Sequence, residues 1–183
     1  MSKVIYKGPG GTVIVPSAPF LDRADGGHVI VNPPRTVWEQ SELTPTELAH
    51  WCFLVGAMGR AMIDVLPQLE GGCVNYFEAG NWALNDAAPP KGPKRARDHR
   101  RVHMHVFGRS RSARHPSWHW GEAPKLPDYK DRKGFTAGLA PLNAKECGAV
   151  VKRAREILFY DLARGYTRSF GGPGLRRRVR HLE

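Results

Sequence analysis

The stretch from Thr44 to Pro67 constrains this chain most. Thr44 is a good helix N-cap, Pro45 suits the first helical position, and Glu47 completes a capping box. Leu48, Trp51, Cys52, Val55, Met58, Met62 and Val65 then recur at the helical period as far as Leu66, and Pro67 ends the run. The spacing predicts one long helix, its aromatic and methionine stripe serving as core or dimer contact rather than as a cofactor box. Strand signals flank it. Thr12–Val15 is a β-branched run after Gly8-Pro9-Gly10-Gly11, a turn signal without the Lys-Ser/Thr of a phosphate loop. His28–Val31 is entered from Gly26-Gly27 and stopped by Pro33-Pro34. Cys73–Glu78 and Val102–Phe107 read as two more strands, antiparallel neighbours of each other. Asn143, with Glu146 three residues on, caps a second helix through Val150, Val151, Ala154, Ile157, Leu158 and Leu162.

Between these elements, residues 85–100 are rich in Pro, Gly, Lys and Arg without periodicity and are expected to form a long mobile loop. Residues 114–135 read as irregular. The organisation predicted is one domain over residues 1–165, with 85–100 inserted, and a basic tail over 166–183 that includes Arg176-Arg177-Arg178. Leu182-Glu183 reads as a cloning remnant.

Lys and Arg number 28 against 17 Asp and Glu, a formal charge of +11, which predicts attraction to polyanions without choosing among them. An apolar share of 41% argues against wholesale disorder. Cys52, Cys73 and Cys147 are far apart and odd in number, so a disulfide framework or a cysteine zinc site is not expected. With no apolar leader after Met1 and no run of about 18 apolar residues, neither secretion nor a membrane span is expected, and the cytoplasm is the expected location.

Candidate chemistry lies in Arg101-Val102-His103-Met104-His105-Val106-Phe107. Residues two apart on a strand share a face, so Arg101, His103 and His105 are expected to project together, with Val102, Met104 and Val106 toward the core. Arg grips phosphate with a fork of donors. A neutral imidazole beside it can attack phosphorus, and a second can hold an oxygen where charge grows. The same pair could ligate zinc with His28 or His99 as third ligand, or it could be a half-exposed strand with no role.

The run resembles the signature of the histidine-triad superfamily, in which histidines alternate with apolar residues. His103, His105, Val106, Phe107, Gly108 and Arg109 fit in register, with Arg101 in place of the first histidine. Gly27-His28-Val29-Ile30-Val31-Asn32-Pro33 and Leu43-Thr44-Pro45-Thr46-Glu47-Leu48 resemble the family's upstream strand and first helix, in the expected order. The likeness covers roughly residues 12 to 109 and implies an α+β fold: an antiparallel sheet of about five strands, a long helix after the third, and a homodimer. It implies a nucleotide hydrolase or nucleotidyl transferase working through a nucleotidyl-histidine. The substrate would be a dinucleoside polyphosphate or another nucleoside phosphate ester or amidate. His103 would be the nucleophile, His105 the phosphate support, and His28 its neighbour. Asn75 or Asn81 would contact ribose or phosphate, and Asp98 or His99 would replace the family's residues ahead of the triad. Arg109 completes the substrate-binding set. No cofactor is implied beyond Mg2+ as counter-ion of a polyphosphate.

Residues 91–114 hold nine Lys or Arg and one acid, Asp98. They could be a solvated surface, a clamp for a polyphosphate, or, with the tail, a nucleic-acid contact. Trp82, Trp118 and Trp120 could stack a base. The competing readings are a non-catalytic nucleotide or nucleic-acid binding protein and a metal site through His28, His103 and His105.

Overall fold

A computed structural model of the chain describes residues 2–162. The expected tail, the end of the expected domain and the last two residues lie outside that range. The fold is α+β. Five strands, β1 (Lys3–Gly8), β2 (Gly11–Val15), β3 (His28–Asn32), β4 (Cys73–Ala79) and β5 (His103–Arg109), form one antiparallel sheet in the order β1-β2-β3-β5-β4. The long helix α1 (Pro45–Val65) follows β3. Two single turns, α2 (Ala96–His99) and α3 (Arg132–Phe135), precede the C-terminal helix α4 (Ala144–Glu156), which continues into a π-helical stretch at Ile157–Leu162.

Both long helices begin where the sequence places their caps. The Thr44 hydroxyl accepts from the Glu47 amide while the Glu47 carboxylate accepts from the Thr44 amide, and Asn143 and Glu146 repeat the arrangement. The alternation of each strand divides the sheet into two faces. One face sends Val13, Val15, Val29, Val31 and Val106 against Trp51, Leu54, Met58 and Met62 of α1 and Val150 and Ala154 of α4, forming the main core. Val102 is buried there and Met104 packs against it, as the alternation predicts. The 21 residues of α1 include no uninterrupted run of 18 apolar residues, though by length and mean hydropathy alone the helix could cross a membrane. Here that apolar face is core.

The opposite face of the sheet carries a smaller cluster, Leu21, Phe107 and Trp118, with Phe20, Ala113 and Leu126 packed on it. Segments between strands hold it in place. The buried Asp25 carboxylate accepts the Arg114 and His115 amides, and the Trp118 indole donates to the Phe20 carbonyl at 2.8 Å. The sheet also needs backbone to approach backbone here: an added Cβ on Gly108 would collide with the Gly26 carbonyl.

Three points depart from the sequence expectation. Lys3–Gly8 is a strand that the sequence reading passed over, paired along β2 with an irregularity between Val4 and Tyr6. Residues 85–100 are not structureless, because α2 lies within them and Lys94 ties the Asn85 and Ala88 carbonyls together. Residues 114–135 likewise hold a turn of 3-10 helix at Pro116–Trp118 as well as α3.

Candidate functional site

The second face of the sheet floors a cavity of about 570 Å3, within the range typical of small-ligand sites. His28 and Ile30 from β3, His103, His105 and Phe107 from β5, and Phe77 and Ala79 from β4 line its base. Pro16, Ser17, Ala18 and Phe20 come from the chain leaving β2, and Asn81, Trp82 and Ala83 from the turn after β4. Leu126, Pro127 and Arg132 come from the segment that includes α3.

Strand register brings the histidines together. His28 pairs with Phe107 and Ile30 with His105, so His28 and His105 are diagonal neighbours on one face. Their ring centroids lie 4.9 Å apart, as do those of His103 and His105. Phe20 stacks over His28, and Phe107 lies nearly parallel to His105. His28 Nε2 and His105 Nδ1 are 2.7 Å apart, and the Phe20 amide donates to His28 Nδ1 at 3.3 Å.

These contacts assign the protons. His28 Nδ1 accepts from an amide, so the neutral ring carries its hydrogen on Nε2 and donates it to His105 Nδ1. His105 in turn must hold its hydrogen on Nε2. His103 Nδ1 lies 2.9 Å from the Arg101 carbonyl, an acceptor, so that nitrogen holds the hydrogen and Nε2 keeps its lone pair. The result is an imidazole with a free lone pair beside one with a free N–H. Burial pushes all three toward the neutral form: His28 falls well below its ordinary value, aided by the other two rings, and His105 falls to about 3. His103 is also lowered by burial, partly offset by the Arg101 carbonyl and Glu78.

Arg101 does not extend the ribbon as expected. β5 starts at His103, because the Val102 amide turns away to the Val37 carbonyl and β4 ends at Ala79, before Gly80, whose φ of 139° suits only glycine. The Arg101 guanidinium folds back to donate to the Arg100 and Asp98 carbonyls, yet the residue still lines the cavity. His99 and Asn81 line it too, Asn81 accepting from Arg100. Asp98 pairs with Arg95 and is not among the lining residues.

Asn75 and Arg109 lie together at the other end of the sheet face, away from the cavity lining. Arg109 is buried, donating to the Asn75 side chain and to the His119 and Glu122 carbonyls. These contacts occupy its two terminal nitrogens, while its buried Nε has no partner. Of the three tryptophans expected to stack a base, Trp82 lines the cavity, Trp118 is core, and Trp120 is exposed beneath Arg111.

The resemblance also implies that the strand from Cys73 to Gly80 edges the pocket, and Phe77, Glu78, Ala79 and Gly80 line it. Lining residues outside the sequence expectation include Phe20 and Arg132, which nothing local marks. Among the described residues no three His, Cys, Asp or Glu side chains converge to hold a metal ion. The two closest imidazole nitrogens are spent on each other. No protein-family profile and no curated protein matches this chain.

Proposed function

We propose that this chain is a nucleotide-phosphate hydrolase or nucleotidyl transferase of the histidine-triad type, with His103 as nucleophile. The observation that carries the reading is the directed series of contacts from the Phe20 amide through His28 to His105, beside His103 with its separately fixed tautomer. In the reaction the His103 Nε2 lone pair attacks phosphorus. The bond from phosphorus to the leaving group breaks, and its electron pair departs with that group. Water then attacks the phosphorus of the nucleotidyl-histidine, the P–N bond breaks and returns its pair to His103, and the water's surplus proton goes to solvent. In transfer an acceptor hydroxyl replaces water. The His105 N–H donates to the phosphoryl oxygen on which charge grows.

The contact that orients His103 is a backbone carbonyl, which any residue at 101 supplies, so Arg101 leaves it intact. The apolar lining of Phe20, Ile30, Phe77 and Trp82 suits a nucleobase. The test is a quenched reaction with an adenosine polyphosphate labelled at its α-phosphorus. Label should map to His103 in the wild type, and His103→Ala should lose at least about 10^3-fold in turnover. Label on another residue overturns the mechanism. Saturable binding without any label or turnover identifies a nucleotide-binding protein instead.

A further inference from the structure

His103 owes its tautomer to the Arg101 carbonyl, which sits just ahead of β5 and outside the sheet. A carbonyl outside a ladder keeps its aim only if the residues on both sides of it are fixed. Downstream, the Val102 amide bonds the Val37 carbonyl at 2.9 Å, and the Val102 side chain is core. Upstream, the Arg100 side chain is 13% exposed and every nitrogen of its guanidinium is engaged. Nη1 donates to the Trp38 carbonyl and the Glu39 carboxylate, Nη2 to Glu78, and Nε to Asn81 at 3.2 Å. Gln40 donates to the same Glu78 carboxylate. One fork thus draws together the segment after β3, the end of β4 and the turn Asn81–Leu84. Gly80 packs against the carbonyl as well, since an added Cβ there would lie 2.8 Å from the Arg101 oxygen. Arg100 itself is not among the residues that line the cavity.

We propose that Arg100 is a positioning residue for His103: gripping Glu39, Glu78, Asn81 and the Trp38 carbonyl, its guanidinium holds the Arg101 carbonyl on His103 Nδ1. Which nitrogen of a neutral imidazole carries the hydrogen is set by the bond that hydrogen makes. Loss of the carbonyl frees the ring to move its hydrogen to Nε2, where it occupies the lone pair needed for attack. A planar fork meets three elements at once. The single ammonium of lysine does not, so charge alone cannot replace Arg100. The tautomer claim stands on geometry, whereas its consequence for catalysis rests on the reading of His103 as nucleophile.

The test is long-range proton–nitrogen NMR correlation of the histidine rings at about pH 8, where they are neutral. It reads which ring nitrogen carries the hydrogen in wild type, Arg100→Lys and Glu39→Ala. Wild-type His103 should show Nδ1–H. In Arg100→Lys the ratio of Nδ1–H to Nε2–H should fall about five-fold, the worth of one hydrogen bond. His28 and His105 should keep their patterns, because the Phe20 amide and their mutual contact fix them. A change confined to His103 is one that general unfolding does not produce. Glu39→Ala removes one partner from the fork and should shift His103 the same way by less. It decides alone if Arg100→Lys fails to fold. An unchanged His103 pattern in the folded variants overturns the inference, even if His103 carries the label in the quenched reaction. With an adenosine polyphosphate, kcat in Arg100→Lys should fall by a like factor with KM little changed. A shifted tautomer with kcat unchanged overturns the positioning role. A wild type that turns nothing over sinks the His103 mechanism but not the placement of the carbonyl, which the spectra decide.

Discussion

At the scale of single residues the site is governed by where protons are excluded. His28 and His105 are buried, with each other, His103, Phe20, Phe77 and Phe107 around them, so a charged imidazole there would lose water and face a like neighbour. The sign follows from linkage. Above the ordinary value of 6.5 both folded and unfolded rings are neutral and the histidines contribute no pH dependence. Below 6.5 the unfolded chain takes up protons that the folded chain refuses, so stability falls as pH drops, levelling off for His105 near its folded value of about 3. Urea midpoints measured between pH 7.5 and 4.5 should therefore decline. The decline should be shallower in His105→Asn, and an identical slope would sink the argument. Under the proposed mechanism, the lowered His103 value places the acid limb of kcat/KM below 6.5.

At the scale of elements, α1 does two jobs. It covers one face of the sheet, and its capped start fixes where the chain from β3 joins it. The reciprocal Thr44–Glu47 bonds satisfy donors that the first helical turn would otherwise leave open. Thr44→Ala should cost about 1 kcal/mol and lower Tm by roughly 2–4 °C in a domain of this size. A scan matching the wild type would mean that tertiary packing alone holds the helix start. The strands owe their faces to alternation, but their ends depend on neighbours. β5 begins at His103 because β4 stops at Ala79, ahead of Gly80, and Val102 bonds elsewhere, which removes Arg101 from the ribbon and sends its guanidinium to carbonyls.

At the scale of the whole molecule, the charge of +11 should give weak affinity for single-stranded nucleic acid that falls steeply with added salt. A fluorescence titration from 50 to 200 mM salt checks this, and flat dependence would exclude a phosphate-backbone contact. The periodicity of 44–66, the capping residues at Thr44 and Asn143, and four of the five strands could be read locally, because each depends on residues within a few positions. The shared face of His103 and His105 was legible for the same reason. β1 was not, since it is specified by pairing with β2. Nor could local sequence show that Asn75 and Arg109 satisfy each other, that Trp118 is core while Trp82 lines the cavity, or that Arg132 reaches it. Those outcomes depend on which distant surfaces meet. The chain by itself determined which side chains could do phosphate chemistry. Tertiary packing decided their protonation and company, because burial and neighbouring charge arise only when segments about 75 residues apart close on one another.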